Sequence, residues 1–314
     1  MKVRNYIAIL IYMAGLILVP SCDVHEFPDP PVQFVLNLNY DTEMPLYKVV
    51  DYTEQRTKSV SEEYDIRYIV NVYDGKDEDS REAIYHFVFT KDDVSELGHS
   101  VTMPILKGDY RFVVWTDYVA QGSDSDLYYN TERFEYLSLA EGRHVGSNEM
   151  RDAFAGMITA TVSPSSTSAD VEMKRPMGKF NFIAVDARGY DLDGCSVVFG
   201  YNGFMPSAYN MHAVKPADSR TGVRFDSSFR RIDEDEAELG FDYVFVNGKE
   251  TVVSVFVEIY DPAGKLLSRS KPVDVPLVRS KLTTVKANFL TSKAGGGVSI
   301  IPDYEGDHNI VIDP

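Results

Sequence analysis

The sequence has few of the residues that most often perform chemistry. Its 314 residues contain two cysteines, one tryptophan and six histidines. The histidines are scattered and match no zinc-ligand spacing such as H-E-x-x-H. The nucleophile elbow G-x-S-x-G and the glycine motifs that bind phosphates are also absent. The sequence therefore does not support an enzyme, and we predict no catalytic residue, no cofactor and no metal site.

Positive charge is scarce as well. Lys and Arg total 31 against 48 Asp and Glu, so the formal net charge is −17. Such a surface repels phosphate backbones, and nucleic acid is not a predicted partner. The charge is consistent with solubility outside the cell or with a cationic partner. The acidic loops at residues 124–126 and 233–236 are read as solvated turns, with a surface cation as the alternative.

Long apolar runs are limited to one. Tyr6 to Val19 is a run of 14 residues, whereas a transmembrane helix needs roughly 20. The run follows a short positive head, Lys2 and Arg4, as in a secretion signal. We therefore predict that residues 1–21 are a signal peptide and that the chain has no transmembrane helix.

The apolar run ends in "VPSC", which resembles the lipobox of bacterial lipoproteins. The resemblance implies that Cys22 carries lipid (palmitate) and anchors the protein to the outer membrane. A disulfide between Cys22 and Cys195 is the less favoured alternative, because it would tie a tether to a core. Cys195 starts an apolar run without a histidine nearby, so we expect a buried, inert thiol. Residues 22–31 hold three prolines and are predicted to be an extended tether.

The rest of the sequence favours short β-strands. The segment "VQFVLNLNY" alternates with period two, which places one set of side chains on a single face: Val32, Phe34, Leu36, Leu38 and Tyr40. Turn residues separate further β-prone segments, which we predict at 66–73, 83–90, 101–106, 110–118, 157–162, 170–176, 178–187, 195–200, 241–246, 251–260, 266–275 and 282–291. One helical turn is predicted within residues 148–156. The pattern predicts a mainly β protein, either sandwich or barrel, with a domain boundary near Arg175.

Five segments in this order resemble the fimbrillin-type lipoproteins of Bacteroidales, which are the subunits and anchors of type V pili. They are the lipobox cysteine, "VVWTDYV" followed by "YYN", "RDAFAG", "VEMKRPMGKFNF" and "PLVRSKLTTVKANFLT". The resemblance implies two tandem transthyretin-like (Ig-like, Greek-key) β-sandwich domains, at residues 32–175 and 176–314. It also implies a cell-surface structural or adhesive protein that assembles by donor-strand exchange.

The resemblance assigns roles to particular segments. The strand at 32–40 would be displaced after an arginine-specific protease cuts the polar loop that follows it, and Arg56 is the matching arginine. The donor strand would lie within residues 307–314, after the "KAGGG" hinge, and consist of His308, Asn309, Ile310, Val311 and Ile312. Implied partners are other fimbrial subunits, outer-membrane lipid through Cys22, and a host or bacterial surface glycan or protein. Shaft, tip and anchor roles all stay open.

A second interpretation is a surface glycan-binding lipoprotein of a carbohydrate-uptake system. Aromatic residues cluster in two segments and could form a sugar platform, with Tyr128 and Tyr129 taken as exposed: Trp115, Tyr118, Tyr128, Tyr129 and Tyr136. Aromatic residues in strands more often pack in the core or across strands. Binding to a polysaccharide would distinguish this interpretation from the fimbrial one.

Overall fold

The structure is a computed structural model that describes residues 29–41, 63–91, 97–98, 100–248, 250–291, 298–302 and 308–312. Within these ranges the chain is almost entirely β, with two three-residue 3₁₀ turns, Phe134–Tyr136 and Glu149–Arg151, and no α-helix. None of the described residues forms a helix long and apolar enough to span a bilayer. The prediction of a mainly β fold is confirmed.

The described residues form twenty-two strands, all within the compact unit Val32–Pro314. In chain order, the first eleven are β1 (Val32–Tyr40), β2 (Tyr64–Asp74), β3 (Tyr85–Lys91), β4 (Ser100–Ile105), β5 (Gly108–Ala120), β6 (Tyr129–Asn130), β7 (Leu137–Leu139), β8 (Phe154–Val162), β9 (Ser168–Met173), β10 (Met177–Ala184) and β11 (Ser196–Tyr201). The next eleven are β12 (Met205–Asn210), β13 (Lys215–Arg220), β14 (Arg224–Ser227), β15 (Arg230–Arg231), β16 (Ala237–Phe245), β17 (Glu250–Tyr260), β18 (Leu266–Arg269), β19 (Val273–Val278), β20 (Leu282–Ala287), β21 (Val298–Pro302) and β22 (His308–Ile312).

The first half of the chain forms an N-terminal sandwich. One sheet has the strand order β4-β1-β9, and the other has the order β3-β2-β5-β8. The buried side chains of the two sheets form a single core cluster, including Phe34 from β1, Val70 from β2 and Phe112 from β5. Two β-sheets that share a core in this way make a β-sandwich.

The second half forms a C-terminal sandwich. Its larger sheet has the order β15-β16-β10-β20-β22-β21, and its other sheet has the order β14-β11-β17-β18, with β19 also paired to β17. Phe182 of β10, Phe199 of β11 and Val257 of β17 are buried in the core between them. The predicted tandem β-sandwiches are thus present, while the boundary near Arg175 stays a prediction.

A small fifth sheet joins the two halves. Its order is β13-β12-β7-β6, and the pairing of Tyr209 with Leu137 links a strand of the second half to one of the first. The core of the C-terminal sandwich also includes Trp115 and Tyr73, which project from the N-terminal sheet. Strands β2 and β5 are therefore buried on both faces, which explains their near-continuous burial.

Several local predictions can be compared with the structure. Strand β1 has the predicted bounds, and Gly264 adopts a positive φ of 78° in the predicted turn before β18. The helical turn is a 3₁₀ turn of three residues, and β8 begins at Phe154 rather than at residue 157. The single strand expected at 266–275 is two strands, since Pro272 in the break cannot donate a backbone hydrogen bond.

Candidate functional site

Strand β1 lies in the middle of its sheet rather than at an edge. Val32–Asn37 pair antiparallel with β4, and Val35–Tyr40 pair in parallel with β9. Parallel neighbours cannot be joined by a short hairpin, and β1 and β9 lie at opposite ends of the N-terminal half of the sequence. Its removal would leave unpaired backbone groups on both neighbours. We name the space between β4 and β9 that it fills the β1 slot.

The inward face of β1 supplies part of the N-terminal core. Phe34 and Leu36 are fully buried, and Leu38 is nearly so. Burial of each such side chain contributes about 1.5–3 kcal/mol. On the outward face, the Asn37 amide donates a hydrogen bond of 2.8 Å to the Asp170 carboxylate on β9. The five residues that the alternation placed on one face all pack against this core: Val32, Phe34, Leu36, Leu38 and Tyr40.

The end of β1 is tied to the region where the two sandwiches meet. The Tyr40 and Thr116 hydroxyls lie 3.2 Å apart, and the Tyr40 ring meets the Phe154 ring edge-on at 5.0 Å. Burial raises the pKa of Tyr40, so the phenol stays neutral. The Asp41 backbone N–H donates to the last carbonyl of β9 at 2.8 Å, and Arg175 donates to the Asp41 carbonyl at 3.3 Å.

The C-terminal segment forms a second notable pairing. Strand β20 lies between β10 and β22, and it is parallel to both. The register runs from Thr283 opposite His308 to Ala287 opposite Ile312. Strand β21 pairs with β22 and with no other described strand. Strand β22 consists of the predicted donor residues and covers the edge of β20.

The two sandwiches repeat one arrangement. In the first, β1 is parallel to the last strand, β9; in the second, β10 is parallel to the last core strand, β20. In the N-terminal sandwich, the sheet that contains β1 ends at β9. In the C-terminal sandwich, β22 is added in parallel beyond β20. The outer edge of β20 therefore accepts an extended segment through backbone hydrogen bonds.

A buried network around Asp242 connects the sandwiches. Asp242 is 1% exposed; its carboxylate accepts from the Arg151 guanidinium and from the Tyr201 hydroxyl at 2.7 Å, and lies 2.6 Å from His144 Nε2. Burial opposes the charged form, but Arg151 and His144 outweigh it and hold the pKa of Asp242 below its ordinary value. Since Arg151 precedes β8 and Asp242 lies on β16, the network joins the two halves.

Two more acid–base pairs lie beside this network. Arg175 is 1% exposed, and its Nε lies 2.9 and 3.0 Å from the two carboxylate oxygens of Asp152. The Lys179 ammonium lies 2.6 Å from one oxygen of Glu149, and the Tyr243 hydroxyl donates to the other at 2.5 Å. The "RDAFAG" segment thus supplies cross-links between the sandwiches. Sequence reasoning missed this role, although a usable signal was present: Glu149, Arg151 and Asp152 are charged and come directly before the apolar start of β8.

Two predicted sites lie outside the described residues. These are the lipid-accepting Cys22 and the cleavage site Arg56, together with the "KAGGG" hinge before β21. Lipid attachment and cleavage therefore stay predictions.

The predicted aromatic platform is wrong in its placement. Trp115 and Tyr129 are fully buried, and the Tyr129 hydroxyl donates to the Arg151 carbonyl. The Tyr128 hydroxyl accepts from the Asn148 amide at 2.8 Å. Tyr136 is 41% exposed, but its hydroxyl is bound to a carboxylate. These rings serve the junction between sandwiches, as the packing alternative states.

Asp126 of the first acidic loop is held by side-chain hydrogen bonds, and Cys195 is a free cysteine outside the core. Asp126 accepts from Arg67 at 2.9 Å and from the Thr131 hydroxyl at 2.7 Å. Among the residues that the structure describes, no group of three His, Cys, Asp or Glu residues could hold a metal. The expectation that Cys195 is buried is wrong. It lies partly exposed in the turn before β11, with its thiol 3.8 Å from the Asp191 carbonyl.

The profile of one protein family spans nearly all of this architecture. It is described as "Family of unknown function (DUF6562)" and matches residues 30–313. The chain belongs to this family. The DUF6562 match begins just before β1 and ends just after β22, so it includes both sandwiches and both terminal strands. None of the curated proteins matches the chain.

Several solved structures are similar to this DUF6562 member. A candidate adhesin from Bacteroides ovatus has 13% identity and a TM-score of 0.47, and the match covers 90% of this chain and 92% of that one. A fimbrial assembly protein from Parabacteroides distasonis has 12% identity, a TM-score of 0.43 and coverages of 91% and 100%. The fimbrial anchor protein Mfa2 from Porphyromonas gingivalis has 11% identity, a TM-score of 0.42 and coverages of 77% and 82%. Likeness of this degree does not assign a function.

Proposed function

We propose that the chain is a structural or adhesive protein of a cell-surface fimbrium, held to the outer membrane by lipid on Cys22, that associates with other subunits by strand addition. One observation carries the proposal: strand β22 adds in parallel to the outer edge of β20, after the core of the C-terminal sandwich is complete. A segment that pairs with a strand edge of its own chain carries the hydrogen-bonding groups needed to pair with an open strand edge of another chain.

The β1 slot is the acceptor in this proposal. It offers two strand edges and a row of pockets that take Phe34, Leu36 and Leu38. The donor sequence "HNIVI" repeats apolar residues with the same period of two at Ile310 and Ile312. A donor strand in the slot would therefore replace both the backbone pairing and the apolar contacts of β1.

The fate of β1 then determines the role of the chain. If β1 stays in place, the slot is filled, the lipid on Cys22 is retained and the chain ends the fibre at the membrane. If the loop is cut at Arg56, β1 and the lipid leave together, and the open slot accepts the β22 segment of a neighbouring subunit. The mature N-terminus, measured by mass spectrometry, distinguishes lipidated Cys22 from Thr57.

Strand addition can be measured directly with a labelled peptide of residues 307–314. The protein is cut with an arginine-specific protease under native conditions and freed of its N-terminal fragment, and peptide binding is followed by fluorescence anisotropy. We expect binding to the cut protein and none to the intact protein, because β1 occupies the slot. A peptide with Ile310→Asp and Ile312→Asp should not bind, whereas the matched peptide with Asn309→Asp should.

Two results would refute the proposal. One is a cut protein, still folded by circular dichroism, that does not bind the peptide. The other is equal binding of the wild-type peptide and the peptide with Ile310→Asp and Ile312→Asp, since pairing in a slot lined with pockets requires the apolar side chains.

A further inference from the structure

A cleft of about 350 Å³ opens beside the buried Asp242 network, with which it shares His144. One wall is the segment Gly142–His144, and the other is residues 220–224, where β13 leads into β14. None of the eight described residues that line it is acidic, and four are basic: Arg143, His144, Arg220 and Arg224. In a chain with a net charge of −17, such a cleft is a local exception to the overall charge.

Each wall also contains a glycine in a left-handed conformation. Gly142 has a φ of 99°, and Gly222 has a φ of 68°. A Cβ atom at either position would meet no heavy atom within 4 Å, so the space beside both glycines is open. The backbone of both walls is therefore accessible to a ligand.

Ion pairs offset only part of the positive charge around the cleft. The carboxylates that contact its basic residues also contact two arginines outside it: Asp226 pairs with Arg143, Glu258 with Arg224 and Arg269, and Asp242 with His144 and Arg151. Arg220 forms neither a hydrogen bond nor an ion pair with any residue that the structure describes. Five guanidiniums thus meet three carboxylates, which leaves an excess of two positive charges even with His144 neutral.

Arg220 carries the charge that no described carboxylate offsets directly. Its Nε atom is buried and has no hydrogen-bond acceptor among the described residues. Burial lowers the pKa of Arg220, the nearby Arg151 charge lowers it further, and Asp242 offsets these effects only in part. A cation that is partly withdrawn from water needs acceptor oxygens or a counter-charge, which an anion in the cleft would supply.

Arg143 is a second guanidinium that can turn toward such an anion. Its pair with Asp226 lies at the surface, where the two side chains are 71% and 54% exposed. An exposed pair of this kind contributes about 1 kcal/mol or less, so little is lost when Arg143 changes partner. The two walls of the cleft therefore each offer one guanidinium to a ligand between them.

We propose that this cleft binds the phosphate group of a small soluble molecule, with Arg220 and Arg143 pairing its oxygens from opposite walls. A phosphate monoester carries about −1.5 to −2 charges at pH 7 and three strong acceptor oxygens, which matches the excess charge. Guanidiniums bind phosphate through two parallel hydrogen bonds each. A carboxylate has one charge and two oxygens, so it would neutralise only half of the excess.

The size and charge of the protein favour a small soluble carrier. The cleft volume is at the small end of the range for ligand sites, about 300–1,000 Å³, which leaves room for a phosphate and a few further atoms. A membrane rich in phosphate headgroups would bring many negative charges against a chain with a net charge of −17.

This inference is independent of the proposed strand addition. The cleft lies between residues 142–144 and the connection from β13 to β14, whereas strand addition uses β1, β20 and β22. The cleft would give the chain a recognition site whether it acts as shaft, tip or anchor.

The test is a calorimetric titration of the full mature protein with glycerol phosphate, above the second phosphate pKa of about 6. Glycerate is the carboxylate counterpart, and vesicles that contain phosphatidic acid present the same group on a lipid surface. Arg220→Gln and Arg143→Gln are compared with Arg188→Gln, which makes the same substitution at a 68% exposed side chain outside the cleft. Thermal unfolding confirms that each variant is folded.

We expect glycerol phosphate to bind at least about tenfold more tightly than glycerate, because it brings a second charge and a third acceptor oxygen. Arg220→Gln should weaken phosphate binding at least about tenfold, as the loss of a charged hydrogen-bonding partner predicts. The exposed Arg143→Gln should weaken it about threefold, and Arg188→Gln should have no effect.

Four results would overturn the proposal. These are no binding of glycerol phosphate, equal binding of glycerate, binding to phosphatidic acid vesicles alone, and a folded Arg220→Gln variant that binds phosphate no more weakly than Arg188→Gln does.

Discussion

Replacing Asp242 with asparagine tests whether the buried network stabilises the junction between the sandwiches. The side chains of Asp242 and Arg151 are 0% and 3% exposed, so the substitution leaves a guanidinium buried without its counter-charge. Removing one partner of a buried pair in this way costs about 3–5 kcal/mol of unfolding free energy. Asparagine keeps the size of the side chain, so the loss arises from charge rather than from a cavity. The exposed pair of Arg188 and Asp235 is the control, because Arg188→Gln should leave stability unchanged.

The assay is urea unfolding followed by the fluorescence of Trp115, the single tryptophan, which is fully buried in the core of the C-terminal sandwich. The double variant Arg151→Met with Asp242→Leu should be more stable than the sum of the two single changes implies, since it removes both charges. The expected coupling is about 2–3 kcal/mol. If the losses of unfolding free energy in the two single variants add up to the loss in the double variant, the reasoning that the two groups stabilise each other is refuted.

The same network makes stability depend on pH. The folded pKa of Asp242 is below its ordinary value, which is about 3.9 in the unfolded chain. Its contribution is therefore fully present above about pH 4 and is lost as the pH falls through the folded pKa. Asp242→Asn should lose this part of the acid dependence. Parallel stability curves for wild type and variant below pH 4 would show that the pair contributes nothing.

Three further changes test other parts of the fold by the same unfolding assay. Phe34→Ala should cost about 3–5 kcal/mol because the ring is fully buried in the β1 slot, whereas Asn37→Ala on the outward face should cost about 1 kcal/mol or less. Gly178→Ala should destabilise by about 1–3 kcal/mol, since its Cβ would stand 2.6 Å from the Val278 carbonyl oxygen; unchanged stability would contradict the close strand contact. Tyr129→Phe should cost about 1–3 kcal/mol by leaving a buried carbonyl unpaired, and a neutral result would mean that the hydroxyl is not needed there.

The parts of the fold that follow a simple period were predictable from sequence. Strand β1 was predicted to the residue because one face is in the core and the other is polar. The turn between β17 and β18 was predicted because Pro262 and Gly264 each fit one turn position. Where a strand is buried on both faces, as in β5, the segment was found but its ends were not.

The contacts between the halves were not predictable in this way. Arg151 and Asp242 are separated by 91 residues, and nothing local indicates that they meet. Tyr129 was read as exposed because burial of an aromatic residue depends on which sheet covers it, and here that sheet combines strands of both halves. The polar hairpin of β12 and β13 was missed because its exposed strand "KPADSR" has no apolar alternation.

The position of the buried pairs gives them a role in the proposed fibre. In a chain of subunits joined by strand addition, force enters one sandwich at β22 and leaves the other at the β1 slot, so it must pass through the junction. Arg175 stands at that point: it pairs with Asp152, and it also donates to the Asp41 carbonyl at the end of β1. Buried charges add little net stability over apolar packing, but displacing one partner is costly. Such pairs therefore suit a junction that must hold its geometry under load, and a variant that replaces Arg175 and Asp152 with apolar residues should stay folded yet yield at lower force in single-molecule pulling.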